Sequence, residues 1–288
     1  DEVIDKFGAD VSRWWFYRVN QAGEPKNFRE EDLKEIQNGL WRVIVNSLRF
    51  WELYKGQKSG NDLSLLDRWL LSKLNSLVES VTESLDEYDA TSASRGIEKF
   101  VIEDLSNWWI RRSRNKFQSK SGHQNDLLRF VLLELAKLIA PFVPFLAEHI
   151  HEEMHRGTAG SESVHIHDWP EVNKKLIDKG LEEEMDLVRR VASLGLAARK
   201  EAGIKVRQPL DELRITNHES RIVDEELLDL IKEEVNVKNL EFKSLKVSEK
   251  EVLSVELDTE MTAALRAEGL IREFIRMVQD ARKDAGYD

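Results

Sequence analysis

Residues 65–88, LLDRWLLSKLNSLVESVTESLDEY, decide the fold class of this chain. Their apolar residues recur at spacings of four and three, at Leu66, Leu70, Leu74, Leu77, Val81 and Leu85. Residues three or four apart share one helix face, so this spacing predicts a helix with one buried side. Residues 94–117, SRGIEKFVIEDLSNWWIRRSRNKF, repeat the pattern through Ile97, Val101, Leu105 and Trp108. Two long amphipathic helices in succession favour a helical bundle.

The pattern extends in both directions along the chain. Further helices are predicted over residues 9–19, 30–54 and 125–139, and Pro141 and Pro144 interrupt the last of these. Gly- and Ser-containing joints at 56–62, 119–125 and 157–163 separate the helices. Because short joints favour antiparallel neighbours, we predict an up-and-down helical bundle over residues 1–156.

The pattern of apolar and polar residues changes over residues 157–288. A long charged helix is expected from Lys179 to Ala202, with Gly203 ending it. Residues 211–217, 239–244 and 252–258 alternate apolar and polar residues as strands do, with a helix at 224–235 and a terminal helix from about 259. We therefore predict a mainly α protein, in which a connecting helix leads to a small α+β unit that stops short at its C-terminus.

Composition limits the possible functions. The net charge is −11 over 288 residues, so any nucleic-acid site must be a local basic patch. The chain has no cysteine, which removes disulfides, thiolate metal sites and cysteine nucleophiles. No apolar run approaches the length of a membrane span, so we expect a soluble cytoplasmic protein without a membrane partner.

His151 and His155 belong to a sequence, HEEMH, that fits the HExxH pattern of zinc hydrolases. They lie beside the apolar stripe of Leu146, Ile150 and Met154, where solvated polar residues are usual. A zinc hydrolase also needs a third ligand and a strand beside the site, and the next segment offers only His165 and His167, beyond a Gly- and Ser-containing joint. We predict that these histidines bind no metal, and we keep a zinc hydrolase as an alternative.

A basic stretch interrupts the acidic background between Asp104 and Asp126. It contains no carboxylate and five cations, Arg111, Arg112, Arg114, Lys116 and Lys120. Asn107, Arg111 and Arg114 are expected on one helix face, next to Trp108 and Trp109. Cations and flat indoles together suit a looped single strand of RNA. The alternative is that Trp108 is core and the cations pair with nearby acids.

A second basic cluster, RKEAGIKVRQPL at 199–210, has a simpler explanation. Cations such as Arg199 and Lys200 near a helix C-terminus are stabilised by the helix dipole.

Several stretches resemble the anticodon-binding region of isoleucyl-tRNA synthetases, most closely archaeal or eukaryotic-type members. They are NFREEDLKEIQNGLWRVIVNSLRFW (27–51), DLSNWWIRRSR (104–114) and AGIKVRQPL (202–210), and the resemblance covers essentially the whole chain. It implies a bundle that binds the anticodon stem and loop of isoleucine tRNA. The tRNA-binding residues it implies, with Lys116 added from the basic stretch, are Asn46, Arg49, Asn107, Trp109, Arg111, Arg112, Arg114, Lys116, Lys205 and Arg207.

The resemblance also implies what this region lacks. The nucleotide-binding fold and the KMSKS loop are missing, so we expect no catalytic residue, no metal and no cofactor here, while ATP and Mg²⁺ serve the parent enzyme that ligates isoleucine to its tRNA. The expected partners are isoleucine tRNA and the catalytic domain of the same chain, in a monomer. The alternatives are a valyl- or leucyl-tRNA synthetase relative and a helical protein-interaction module.

Overall fold

A computed structural model describes residues 2–55, 63–118, 123–156, 162–217, 222, 224–244 and 253–287. The chain divides into two compact units, Asp1–Lys179 and Gly180–Asp288. Within the described ranges, the structure contains no helix of the length and apolarity that a membrane crossing requires.

The first unit is a helical bundle, as predicted. Its α-helices are α1 (Glu2–Phe7), α2 (Ala9–Arg18), α3 (Glu30–Ile36), α4 (Arg42–Leu53), α5 (Leu65–Asp86), α6 (Ala90–Lys99), α7 (Arg111–Gln118), α8 (Gln124–Ile139) and α9 (Pro144–His155). The wider turns of a π-helix join α3 to α4 over Gln37–Trp41 and α6 to α7 over Phe100–Ile110. The predicted helix at 30–54 is therefore continuous but not uniformly α-helical.

The leucine stripe of α5 lies at the centre of the bundle. Trp69 and Leu70 are fully buried and Leu74 nearly so, and α5 packs against α6 and α8. Each fully buried side chain of this kind stabilises the fold by about 1.5–3 kcal/mol. The spacing in the sequence therefore identified the core helix correctly.

Pro141 and Pro144 separate α8 from α9 as expected, and side chains of α2 form hydrogen bonds to the backbone between these helices. Asp10 accepts the amide of Leu146 at 2.7 Å in the first turn of α9, and Arg13 donates to the carbonyl oxygen of Phe142 at 2.8 Å. Burial raises the pKa of the Asp10 carboxyl, although the Leu146 amide lowers it. These bonds satisfy backbone groups that the break in the helix leaves without partners.

The segment from 162 to 178 packs first on α9 and then on α5, so the first unit extends beyond the boundary expected after residue 156. Trp169 donates its indole N–H to Thr82 at 2.9 Å, and the amide of Asp178 donates to Ser72 at 2.8 Å. The sequence does not reveal this attachment because it depends on single hydrogen bonds to helix side chains.

The second unit is the predicted small α+β structure. It comprises α10 (Lys179–Glu201), β1 (Leu210–Asn217), α11 (Glu225–Val235), β2 (Val237–Ser244), β3 (Ser254–Leu257) and α12 (Ala263–Asp284). The sheet has the order β2-β1-β3, with β1 parallel to β2 and antiparallel to β3. Gly203, with φ +67°, follows α10 in the left-handed conformation that glycine adopts without strain.

Candidate nucleic-acid interface

A buried carboxylate, Asp67, organises the end of the bundle that carries the basic stretch. Asp67 lies in the first turn of α5 and accepts the backbone amide of Ser64 at 3.0 Å, which forms a capping box. The indole N–H of Trp109 donates to Asp67 Oδ1 at 2.8 Å, and His123 Nε2 lies 3.1 Å from Oδ2. One fully buried side chain thus joins the start of α5, the segment before α7 and the start of α8.

The residues directly before α7 lie in the π-helical segment Phe100–Ile110 and face the core. Trp108, Trp109 and Ile110 are consecutive and all buried, with exposed fractions of 6%, 0% and 7%. Neither indole offers a face to solvent. This corrects the expectation that open indole surfaces lie beside the guanidinium groups, and it shows that Trp108 is core, as the alternative proposed.

The cations of the basic stretch lie on the outside of α7. Arg111, Arg114 and Lys116 are exposed, as is Asn107 one turn earlier, and Arg112 is half-buried. The Arg112 guanidinium lies 5.3 Å from the Trp108 ring centroid, and Arg111 Nε donates to the carbonyl oxygen of Asn107 at 2.8 Å. Arg112 therefore runs along the buried indole, while the other cations point outward. Lys120 lies outside the described residues.

An aromatic cluster brings α4 beside α7. Phe117 contacts Phe50 of α4 and Tyr54 at its C-terminal end, with ring centroids 4.7 and 5.6 Å apart, and Trp109 lies 5.7 Å from Phe117. The guanidinium of Arg114 lies 6.0 Å above the Phe50 ring. The negative face of an aromatic ring attracts a cation, so the Phe50 ring draws the exposed Arg114 side chain toward α4.

Two more predicted residues lie on α4, the helix that carries Phe50. Asn46 and Arg49 of α4 are both exposed, and Arg49 directly precedes Phe50. We use the name basic surface for the exposed predicted residues of the first unit, which are Asn46, Arg49, Asn107, Arg111, Arg114 and Lys116. Of the residues predicted in this unit, Trp109 and Arg112 support this surface from beneath.

Lys205 and Arg207 belong to the second unit and form ion pairs there. Both face Glu273 of α12, with nitrogen–oxygen distances of 3.7 and 2.6 Å. The hydrogen bond from Arg207 lowers the pKa of the Glu273 carboxyl. The observed contacts of these two cations are structural, and their role toward tRNA stays a prediction.

Arg199 is a buried residue whose role the sequence did not reveal. It is fully buried and donates to the carbonyl oxygens of four residues, Lys205, Gln208, Val235 and Asn236. Burial lowers its pKa to about 10. The helix-dipole explanation is incomplete, because this guanidinium holds together the loop after α10 and the end of α11.

His151 and His155 of the HExxH pattern pack against each other. Their ring centroids lie 4.2 Å apart, and the His167 ring lies 4.8 Å from that of His151. Burial, followed by the neighbouring imidazoles, lowers the pKa of His151. In the described part of the chain, no group of three or more His, Cys, Asp or Glu side chains is arranged to hold a metal ion.

Comparisons with known proteins agree on one family. The family model described as the anticodon-binding domain of tRNA ligase matches residues 67–215, more than half of the chain. The chain is 36% identical to the isoleucine–tRNA ligase of Dehalococcoides mccartyi strain 195, over 99% of this chain and 31% of that relative. It is 38% identical to the isoleucine–tRNA ligase of Clostridium novyi strain NT, over 84% of this chain and 24% of that relative. The chain thus spans less than a third of the length of these relatives.

A solved structure, the ternary complex of Agrobacterium radiobacter K84 agnB2 LeuRS with tRNA and LeuAMS, is also similar. The TM-score is 0.46 and the sequence identity 19%, over 62% of this chain and 21% of that chain.

Proposed function

The chain belongs to the family of anticodon-binding domains of tRNA ligases, and we propose that it binds the anticodon stem and loop of isoleucine tRNA through the basic surface. The observation that carries this proposal is the exposure of Arg49, Arg111 and Arg114 on two adjacent helices. The names of the matched relatives support isoleucine as the amino acid. Phosphates of a folded strand need cations at several neighbouring points, which α4 and α7 supply together.

Electrostatics permits this binding despite the net charge of −11. At physiological salt, exposed charges interact over about 8 Å, so distant carboxylates do little to oppose a local cationic surface. Each phosphate that a cation neutralises releases counterions, which makes the affinity fall as salt rises. The exposed amides of Asn46 and Asn107 add groups that can hydrogen-bond to base edges.

We assign different roles to the exposed and buried members of the predicted site. Arg49, Arg111, Arg114 and Lys116 would contact RNA directly. Trp109 would act as a positioning residue, because its buried indole fixes the segment before α7 through Asp67. Stacking of bases on Trp109 is not part of the proposal.

The parent protein is proposed to be the cytoplasmic enzyme that ligates isoleucine to its tRNA, using ATP and Mg²⁺. The two relatives are isoleucine–tRNA ligases, and this chain covers 31% and 24% of them. We further propose that catalysis resides outside these residues, in a catalytic domain with which this region cooperates on one tRNA.

A gel-shift titration tests the proposal. The chain is titrated against isoleucine tRNA and against the same tRNA with an altered anticodon, each at two salt concentrations. We expect tighter binding of the unaltered tRNA and weaker binding of both at higher salt. Equal affinities would overturn anticodon recognition while leaving RNA binding, and no shift with either tRNA would overturn the proposal.

A further inference from the structure

Two long helices of the first unit lie side by side and run in the same direction. One covers residues 30–53 and contains α3 and α4, and the other covers residues 90–118 and contains α6 and α7. Contacts at three levels align them, and these pair Glu35 with Glu98 through Arg18, Gly39 with Ile102, and Phe50 with Arg114. In every pair the second residue follows the first by 63 or 64 positions. The two helices therefore keep one register over about four turns.

Carboxylates are missing from most of the second half of this helix pair. Asp and Glu make up 54 of the 288 residues, yet none occurs at 36–51 or at 105–125. With the offset of 63 or 64 positions, residues 41–51 lie beside residues 105–115. Two acid-free stretches that are distant in the sequence are thus brought together along one surface, which favours the binding of a polyanion.

Exposed side chains form a row on each side of the line along which the two helices touch. On α4, Phe50 points toward the second helix, because its ring packs on Phe117. The exposed residues of α4 within about 100° of that direction are Arg42, Asn46, Arg49 and Leu53. The facing row on the second helix consists of Asn107, Arg111 and Arg114, which are also exposed. We call the space between these two rows the polar groove.

Arg42 occupies one end of the polar groove. The offset places Asn107 between Arg42 and Asn46 along the groove, and the other arginines follow beyond Asn46. Arg42 and Arg49 are seven residues apart, which is about 10 Å along α4. In the ranges that the structure describes, the exposed Arg42 guanidinium forms no ion pair and no side-chain hydrogen bond. The two amides therefore have an available cation on each side of them.

We propose that Arg42 is a further RNA-binding residue, and that the loop strand of the tRNA lies along the polar groove, with base edges at Asn46 and Asn107 and phosphates on both sides of them. This inference rests on the proposed function and names the path of the RNA at that site. Phosphate contacts hold a strand in position, whereas the donors and acceptors of an amide can match base edges. Bases in a single-stranded loop are unstacked and expose those edges. Cations at both ends of the amide pair fix the strand on either side of the bases that the amides contact.

Filter binding of the full chain at several salt concentrations tests the role of Arg42. Arg42→Ala should weaken the binding of isoleucine tRNA about fivefold at about 0.1 M salt, and the negative slope of log K against log salt should become less steep by about 0.7. The loss should be the same for a tRNA with an altered anticodon, because a phosphate contact carries no sequence information. The matched control is Lys34→Ala, which removes an exposed cation of α3 beside Glu35 and should change neither quantity.

The outcomes separate this inference from the proposed function. If Arg42→Ala behaves like Lys34→Ala while the double variant Arg111→Ala and Arg114→Ala binds more weakly, the path along the polar groove is wrong and the proposed function stands. If neither the single nor the double variant weakens binding, the proposed function fails as well. A loss confined to one of the two tRNAs would overturn the phosphate contact at Arg42.

Cleavage of the bound tRNA by a tethered iron chelate tests the path directly, and the absence of native cysteine makes attachment at one site specific. Asn38→Cys and Leu53→Cys replace exposed residues near the two ends of the polar groove, about 22 Å apart along the helix. Chelates at these two positions should cut the loop strand at different nucleotides. Cuts from Leu53→Cys alone would mean that the strand does not reach Arg42, which overturns the inference.

Discussion

Trp109 donates its indole N–H to Asp67 across 2.8 Å, and both side chains have no exposed surface. The bond joins the first turn of α5 to the segment that leads into α7. Because hydrogen bonds to buried charged groups are among the stronger ones in proteins, it fixes where α7 begins. The exposed arginines of α7 therefore take their position from a contact beneath the surface.

Removing two cations from the basic surface should weaken tRNA binding. We expect the double variant Arg111→Ala and Arg114→Ala to bind isoleucine tRNA roughly tenfold more weakly. The slope of log K against log salt is negative, and it should become less steep by about 1.4 when two phosphate contacts to a single strand are lost. Filter binding at four salt concentrations gives both quantities.

The matched control for that variant is Lys174→Ala with Lys175→Ala, which removes two exposed cations from the same unit. It changes the net charge equally and should leave the slope unchanged. If both double variants behave alike, the effect comes from net charge and not from the basic surface.

Trp109→Phe should destabilise the first unit by about 1–3 kcal/mol, because Asp67 loses a donor in a site closed to water. Urea denaturation followed by circular dichroism measures the change. Trp51→Phe is the control, since the indole N–H of Trp51 is buried without a hydrogen-bond partner. A cost for Trp51→Phe equal to that for Trp109→Phe would assign the effect to lost ring volume.

Arg199→Lys should destabilise the second unit although it keeps the charge. Lysine has three donors on one nitrogen and cannot reach carbonyl oxygens that a planar guanidinium spans. We expect a loss of about 2–4 kcal/mol and faster amide hydrogen exchange in the loop after α10. The exposed neighbour variant Lys200→Ala should change stability by less than about 0.5 kcal/mol. Unchanged exchange in Arg199→Lys would refute the role assigned to this residue.

The imidazole contact on α9 predicts a dependence of stability on pH. The pKa of His151 is lowered in the folded chain, mainly by burial, so the unfolded chain takes up a proton first as pH falls below about 6.5. Stability should therefore decrease from pH 7 toward the folded-state pKa. His151→Leu should make this loss of stability with falling pH smaller. A difference in stability between the two proteins at pH 8, where the imidazole is neutral in both the folded and the unfolded chain, measures the effect of the substitution on packing. Parallel stability curves for both proteins would contradict the prediction.

Periodicity predicted the helices and strands because burial on one side imposes a repeat on the sequence. The core leucines of α5 follow this logic. Gly203 and the prolines that separate α8 from α9 were predictable for another reason, because glycine adopts a positive φ without strain and proline lacks the amide donor. Ser64 and Asp67 also carried a usable signal, since their spacing matches a capping box. The spacing does not indicate that Asp67 also accepts the indole N–H of Trp109, which lies 42 residues away.

The π-helical segment and the contacts of Arg199 could not be predicted from the types of residue in the sequence. A π-helical turn changes the hydrogen-bond partner from the fourth to the fifth residue without requiring particular side chains. The α-helical pattern places Trp108 on the apolar side with Ile97, Val101 and Leu105, but it does not indicate that Trp109 is buried as well. Arg199 is similar, because its acceptors are backbone carbonyls of residues up to 37 positions away.

The number of residues in the π-helical segment Phe100–Ile110 sets the direction in which the side chains of α7 point around the helix axis. In an α-helix, each residue adds about 100° of rotation. A chain that lost one residue there and closed as an ordinary helix would aim Arg111 and Arg114 about a quarter-turn away, with every side chain of α7 intact. In this region, then, the number of residues matters as much as their chemistry. A one-residue gap in an aligned sequence would change the direction in which the arginines of α7 point.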